Sequence, residues 1–221
     1  MSARSEILAD IRRALGVTGA EAPRRRVVAE RLEHAPQGVI PARGRLDGAA
    51  RTALFRAEAQ RALASVAEVG VAADAPAQIA AYLRSRDLPL RLSMGADSLL
   101  ATLPWGELEI HQDSANGTGR VGLSRAFGAV AESGTLVLVS GDANPTRLNF
   151  LPETQIVLVL AAAIVGTYEE IWRKLRTVYG KGGMPRSVNF ITGPSRSADI
   201  GQTMQLGAHG PRDLHIIVVR G

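Results

Sequence analysis

Leu214-His215-Ile216-Ile217-Val218-Val219 is apolar on both of its alternating faces, apart from one histidine. Leu136-Val137-Leu138-Val139 shows the same pattern. A strand that is apolar on both sides belongs in a sheet covered on both faces. Working outward, short apolar runs alternate with helical patterns. Strands are expected at Val66–Val69, Leu90–Ser93, Leu108–His111, Val121–Leu123, Thr135–Ser140, Gln155–Leu160, Ser187–Thr192 and Leu214–Val219. Ile164–Val165 is read as an extension of the Gln155 strand. Helices are expected at Ala75–Arg86, from a Ser124 cap to Val130, and at Tyr168–Tyr179, where Ile171, Leu175 and Val178 fall at helical spacing. This alternation predicts an α/β three-layer sandwich with a mostly parallel sheet.

Residues 1–61 read differently. Ser5–Leu15 is a short amphipathic helix capped by Ser5, Gly16–Arg45 is a Gly/Pro/Arg-rich linker, and Asp47–Ala67 is a second helix. Their apolar faces are too modest for independent helices, so they are expected to pack on the main domain or on a second copy of the chain. That leaves a homo-oligomer open. The expected division is a helical extension over 1–61 and an α/β domain over 62–221.

Of the 221 residues, 46% are hydrophobic and 21% charged, as in a soluble globular domain. The longest apolar run, Ile156–Val165, is about half of what a membrane span requires. The first residues do not read as a signal peptide, so a cytoplasmic location without membrane attachment is expected. The formal charge of +5 resides in residues 1–61, where twelve arginines face seven acids. Those arginines are interleaved with Glu and Ala and aromatics are scarce, so nucleic acid is not the expected partner. There is no cysteine, which excludes disulfides, a thiol nucleophile and an iron–sulfur cluster held by thiolates of these residues. The four histidines show no metal-ligand spacing, so no metal is expected. No cofactor is identified.

Chemistry concentrates in Gly193-Pro194-Ser195-Arg196-Ser197-Ala198-Asp199-Ile200 and Gly207-Ala208-His209-Gly210-Pro211-Arg212. In a parallel sheet, ligands bind at the carboxyl ends of strands, which selects the loops after Thr192 and Ser140. A glycine turn running into a helix near Ala198 would offer backbone N–H groups to an anion, with Ser195, Arg196 and Ser197 adding donors. A plain turn capped by Ser197 or Asp199 is an equal alternative. The stretch lacks the Gly-Lys-Ser/Thr ending of a phosphate loop and the second glycine of a nucleophile elbow. A Ser195, Asp199 and His209 triad is therefore not expected. His209, between small residues, is accessible to a ligand; His111 and His215, in or beside strands, are weaker candidates. Glu132 precedes a buried strand at Glu132-Ser133-Gly134-Thr135, where Gly134 permits close backbone approach. Arg147 is positioned to pair with Glu132 or with an acidic substrate.

These stretches, with Ala131–Leu138 and Arg147-Leu148-Asn149-Phe150-Leu151-Pro152-Glu153, resemble the lactate-utilisation (LUD) domain family, and more narrowly its protein C branch. Ile7–Leu15 resembles that branch's opening helix. The resemblance implies a fold similar to the NagB/RpiA/CoA-transferase-like group. It also implies a part in oxidising L-lactate to pyruvate beside two iron–sulfur partner subunits, A and B. The expected role is a non-cluster-bearing subunit holding a small anion at Gly193, Ser195, Arg196, Ser197, Asp199, His209 and Arg212, with Gly134, Thr135 and Arg147 nearby. Glu132 and His209 are its catalytic candidates. An independent enzyme or binding protein for an anionic small molecule, such as a CoA-like or nucleotide-like ligand, is the alternative.

Overall fold

A computed structural model describes residues 2–34, 38–112, 119–197 and 205–221. The chain divides into two compact units, residues 1–39 and 40–221.

In the first unit, α1 (Ala3–Ala14) is capped by Ser2, whose hydroxyl accepts from Ser5 N–H at 3.4 Å. The cap is thus Ser2, and Ser5 lies inside the helix. Contrary to the expected linker, Ala22–His34 forms a second helix, α2. Pro23 sits in its first turn, where a missing N–H costs nothing. Helix formers Ala, Arg and Glu sustain it with an apolar contribution of only Val27, Val28 and Leu32, all exposed. That sparse stripe is why periodicity failed to reveal it.

The second unit runs α3 (Gly48–Arg61), β1 (Ser65–Val69), α4 (Ala75–Ser85), β2 (Arg91–Met94), β3 (Glu109–Gln112), β4 (Val121–Arg125), β5 (Gly128–Val130), β6 (Thr135–Val139), β7 (Thr154–Leu160), β8 (Ile164–Val165), α5 (Tyr168–Tyr179), β9 (Val188–Ile191), β10 (Arg196–Ser197), β11 (Gln205–Leu206) and β12 (Asp213–Val219). Six strands form a parallel sheet in the order β1-β12-β7-β4-β2-β3. The fold is mixed α/β with a mostly parallel sheet, as expected.

The period-two pattern sorts the core. Ile156, Leu158, Ile217 and Val219 pack with Ile79 and Leu83 of α4 on one face. Val157, Val159, Ile216 and Val218 pack on the other face with Phe55 and Ala59 of α3 and with Leu136 and Leu138. Each such side chain contributes about 2 kcal/mol on burial, more than a typical hydrogen bond, so these faces set the layering. A four-stranded mixed sheet, β8-β5-β6-β9, shares the second layer with α3. Its remaining apolar side, Val130 and Val137, meets Ile171 and Leu175 of α5.

Two expectations change here. The segment from Ser124 to Val130 is not a helix. Ser124 Oγ donates to Asn149 instead of capping, while Ala126 N–H and Phe127 N–H donate to Leu158 and Val137 carbonyls. Sheet hydrogen bonds thus claim the segment. Thr135–Val139 and Val188–Ile191 lie in the smaller sheet, paired antiparallel, and not in the parallel one. Burial on both faces reads the same in either sheet, so sequence could not separate them.

Candidate functional site

The Gly193–Arg212 region is built where β9 leaves the small sheet. Gly193 adopts φ +74°, and a Cβ there would stand 2.0 Å from the Ala62 carbonyl oxygen. Only glycine permits this approach to the end of α3. Beyond it, β10 and β11 pair antiparallel, Arg196 opposite Leu206 and Ser197 opposite Gln205. The expected helix start near Ala198, and Asp199, lie outside the described residues.

Ser195 stitches the two loops together. Its N–H donates to Pro211 O and its carbonyl accepts from Gly207 N–H, both at 2.9 Å, while its hydroxyl accepts from His209 N–H at 3.3 Å. Arg212 N–H then donates to Glu153 O at 2.8 Å, which fastens the return loop beside the start of β7. Ser195 is therefore tied to the backbone of His209, and the hydroxyl–imidazole bond that a triad needs is not made there.

A cavity of about 270 Å³ lies beneath these loops, lined among others by Asn149, Gln155, Ser195, Arg196 and His209. Gln155 and Leu214, which also line it, are the second residues of β7 and β12. The site therefore sits at the amino edge of the parallel sheet. The expected carboxyl-edge placement is corrected: it rested on assigning β9 to the parallel sheet.

The floor is polar and fixed. Asn149 is fully buried and Gln155 nearly so. Asn149 Oδ1 accepts from Ser124 Oγ at 3.1 Å and from Gln155 Nε2 at 3.0 Å. In this arrangement the amide oxygen faces both donors. Asn149 Nδ2 is then left buried without a hydrogen-bond partner. An unmet buried donor costs about 1–3 kcal/mol, and a ligand oxygen accepting from it recovers that cost. With Arg196 and His209 exposed at the rim, the cavity suits a small molecule bearing acceptor oxygens.

Of the residues singled out in the sequence, Gly193, Ser195, Arg196 and His209 meet at this cavity. Ser197 belongs to the β10–β11 ribbon, and Arg212 is exposed at its base. Arg147 shares a short helical turn, Thr146–Asn149, with Asn149 but does not line the cavity. Thr135 joins a hydroxyl cluster with Ser133, Tyr168 and Thr192, its Oγ1 2.6 Å from that of Thr192. Gly134 packs on α3, with φ +65° and room for no side chain. Glu132 is buried at the start of α5, where its Oε1 accepts from Tyr168 N–H at 3.4 Å, so the helix N-terminus holds this carboxylate. Ser124, Asn149 and Gln155 were missed. A glutamine opening an otherwise apolar strand was the available signal.

The fold and site define an α/β domain whose parallel sheet carries a polar cavity at its amino edge. Residues 114–219 match the family model described as LUD domain. One hundred residues are 39% identical to lactate utilization protein C of Geobacillus sp. (strain WCH70), covering 45% of this chain and 42% of that protein. Lactate utilization protein C of Shouchella clausii (strain KSM-K16) is 35% identical over 99 residues, 45% of this chain and 43% of that protein. The matched stretches thus span about two fifths of these curated relatives. The crystal structure of a DUF162 family protein from Deinococcus radiodurans superposes with a TM-score of 0.61 at 23% identity, covering 79% of this chain and 99% of that one. This likeness bears on the fold.

Proposed function

We propose that the protein takes part in lactate utilization as the non-cluster-bearing subunit of an L-lactate oxidation system, and that it holds a small organic anion in the Asn149–Ser195–His209 cavity. The similarity to lactate utilization protein C supports the pathway. The observation that carries the site is the buried, unpartnered Asn149 Nδ2. In this reading, one oxygen of a carboxylate accepts from Asn149 Nδ2, and Arg196 and His209 close over the anion from the rim. These residues contain no cysteine, so electron transfer through thiolate-bound clusters falls to the iron–sulfur subunits A and B that the family resemblance implies. At about 270 Å³ the cavity suits a molecule of a few heavy atoms; a nucleotide or CoA would extend beyond it. That size favours a small acid over the alternative of an independent protein for a nucleotide-like or CoA-like ligand.

The test is genetic and physical. A deletion strain should fail to grow on L-lactate, recover with the wild-type gene, and recover poorly with His209→Ala. The purified protein should melt at a higher temperature with L-lactate or pyruvate and not with adenosine nucleotides. Normal growth of the deletion strain on L-lactate would remove the pathway role. A melting temperature unmoved by either acid would remove the ligand.

A further inference from the structure

A second cavity, of about 440 Å³, opens at the opposite edge of the parallel sheet, where β4 ends at Arg125 and β7 at Leu160. The carboxyl edge is where open parallel sheets bind ligands, and this cavity shares no lining residue with the Asn149 cavity.

Its cations are held in place. Arg125 directs Nε to both carboxylate oxygens of Asp97, at 3.0 and 2.9 Å, and Nη2 to Asp97 Oδ2 at 2.8 Å. Asp97 is buried and also accepts from Leu99 and Leu100 N–H, both at 3.0 Å. The acid is therefore committed, while Arg125 Nη1 bonds to no described residue. Lys174 Nζ donates to Phe127 O at 2.6 Å and lies over the Phe127 ring, 4.4 Å from its centroid. Burial first, and then the Arg125 charge beside it, push the Lys174 amine below its ordinary pKa. Two like charges crowd this half-buried space, and an anion between them relieves the cost. The other acid on the lining, Asp142, is exposed at the mouth.

Asn144 supplies the third element. It is buried, its N–H donates to Gly141 O at 3.0 Å, and its Nδ2 donates to Val139 O at 3.1 Å. A carbonyl accepts only from a donor, so the amide orientation is fixed. Asn144 Oδ1 is left buried without a partner. The cavity thus pairs cationic donors with one unmet acceptor.

We propose that this carboxyl-edge cavity is a second ligand site, for a small organic anion that also carries a hydroxyl or amino donor: the anion meets Arg125 and Lys174, and the donor meets Asn144 Oδ1. The site is separate from the Asn149 cavity and stands or falls without it.

Amide-detected NMR titration of the labelled protein with glycolate and with acetate tests this, since the two acids differ by one hydroxyl. Glycolate should shift the amides of Arg125, Asn144 and Lys174 and bind about fivefold tighter than acetate, the value of one hydrogen bond. Lys174→Met should weaken both acids by about fivefold or more. Asn144→Leu should abolish the preference for glycolate while acetate binding persists. Should that variant fail to fold, Lys174→Met decides alone. Shifts confined to the Gly193–Arg212 loops, no saturable shift, equal binding of the two acids, or unchanged binding by Lys174→Met overturns the proposal. The Asn149 cavity is read in the same titration by the amides of Ser195 and His209, so failure at one site does not imply failure at the other.

Discussion

The imidazole of His215 lies flat on the ring of Tyr82, with centroids 3.9 Å apart and planes 7° from parallel. His215 Nδ1 stands 2.8 Å from Ser65 Oγ, across the register pair that joins β1 to β12. The histidine is buried, and its Nε2 has no partner among the described residues. Burial, helped by the charge of Arg86, lowers its pKa from 6.5 to about 4. This cluster makes the fold sensitive to mild acid.

The sign follows from which state takes up the proton. At neutral pH the imidazole is uncharged in folded and unfolded chains alike. As pH falls from 6.5 toward about 4, the unfolded chain is protonated and the folded one is not, so stability declines across that window. Below it both states carry the proton and the loss is complete, at about 3 kcal/mol. Urea unfolding at about pH 7 and about pH 4.5 should show this loss in the wild type and much less of it in His215→Gln. Comparing the two proteins cancels the carboxylates that titrate nearby. An identical pH dependence in both would mean that His215 is not the sensitive group.

The same strand shows what sequence can and cannot disclose. Ile216–Val219 announced a doubly covered sheet, and the covering layers are there. Leu136–Val139 carried an equal signal but is paired antiparallel in the smaller mixed sheet, because apolar alternation records burial and not partner direction. That ambiguity reversed the edge on which the Gly193–Arg212 cavity was placed. The cavity rim was legible from composition, since Gly193, Ser195, Arg196 and His209 are dense in polar and turn-forming types. Its floor was not. Asn149 looks like any turn asparagine, and only the assembled sheet brings Ser124 and Gln155 to its oxygen.

Gly134 was read as a ligand-site residue that permits close backbone approach, and the backbone that approaches it is that of α3. With φ +65°, a Cβ would stand 2.2 Å from Ala59 N in the α3 backbone. Gly134→Ala should therefore destabilise by about 2 kcal/mol or more, through both left-handed strain and overpacking. Gly141→Ala is the control: no atom lies within 4 Å of its Cβ position and φ is not positive, so the change should stay within about 0.5 kcal/mol. Similar melting temperatures for the two variants would contradict the close α3 contact.

The Asp97–Arg125 pair should behave as one unit. Removing Asp97 strips a half-buried guanidinium of its counter-charge and leaves two backbone N–H groups without an acceptor. Asp97→Ala should cost about 3 kcal/mol. Arg125→Met leaves the carboxylate its two N–H donors and should cost less. The double variant should be more stable than the sum of the single losses predicts, with a coupling of about 1 kcal/mol or more by denaturant unfolding. Strict additivity would show that the pair is electrostatically idle.

Asn149→Asp isolates the proposed anion site with a nearly isosteric change. Asn149 Oδ1 already accepts from Ser124 and Gln155, and an aspartate oxygen keeps both bonds. The second oxygen replaces the unpartnered Nδ2 and turns a donor into a negatively charged acceptor at the cavity floor. An anion should then lose its hydrogen bond and meet repulsion, weakening L-lactate or pyruvate by about 2 kcal/mol, roughly thirtyfold in Kd. Calorimetric titration measures this directly. Folding is checked by the far-ultraviolet spectrum and by glycolate-induced shifts at Arg125 and Lys174, which this substitution does not touch. Unchanged affinity in a folded Asn149→Asp protein would show that the anion, wherever it binds, does not rest on the amino-edge floor.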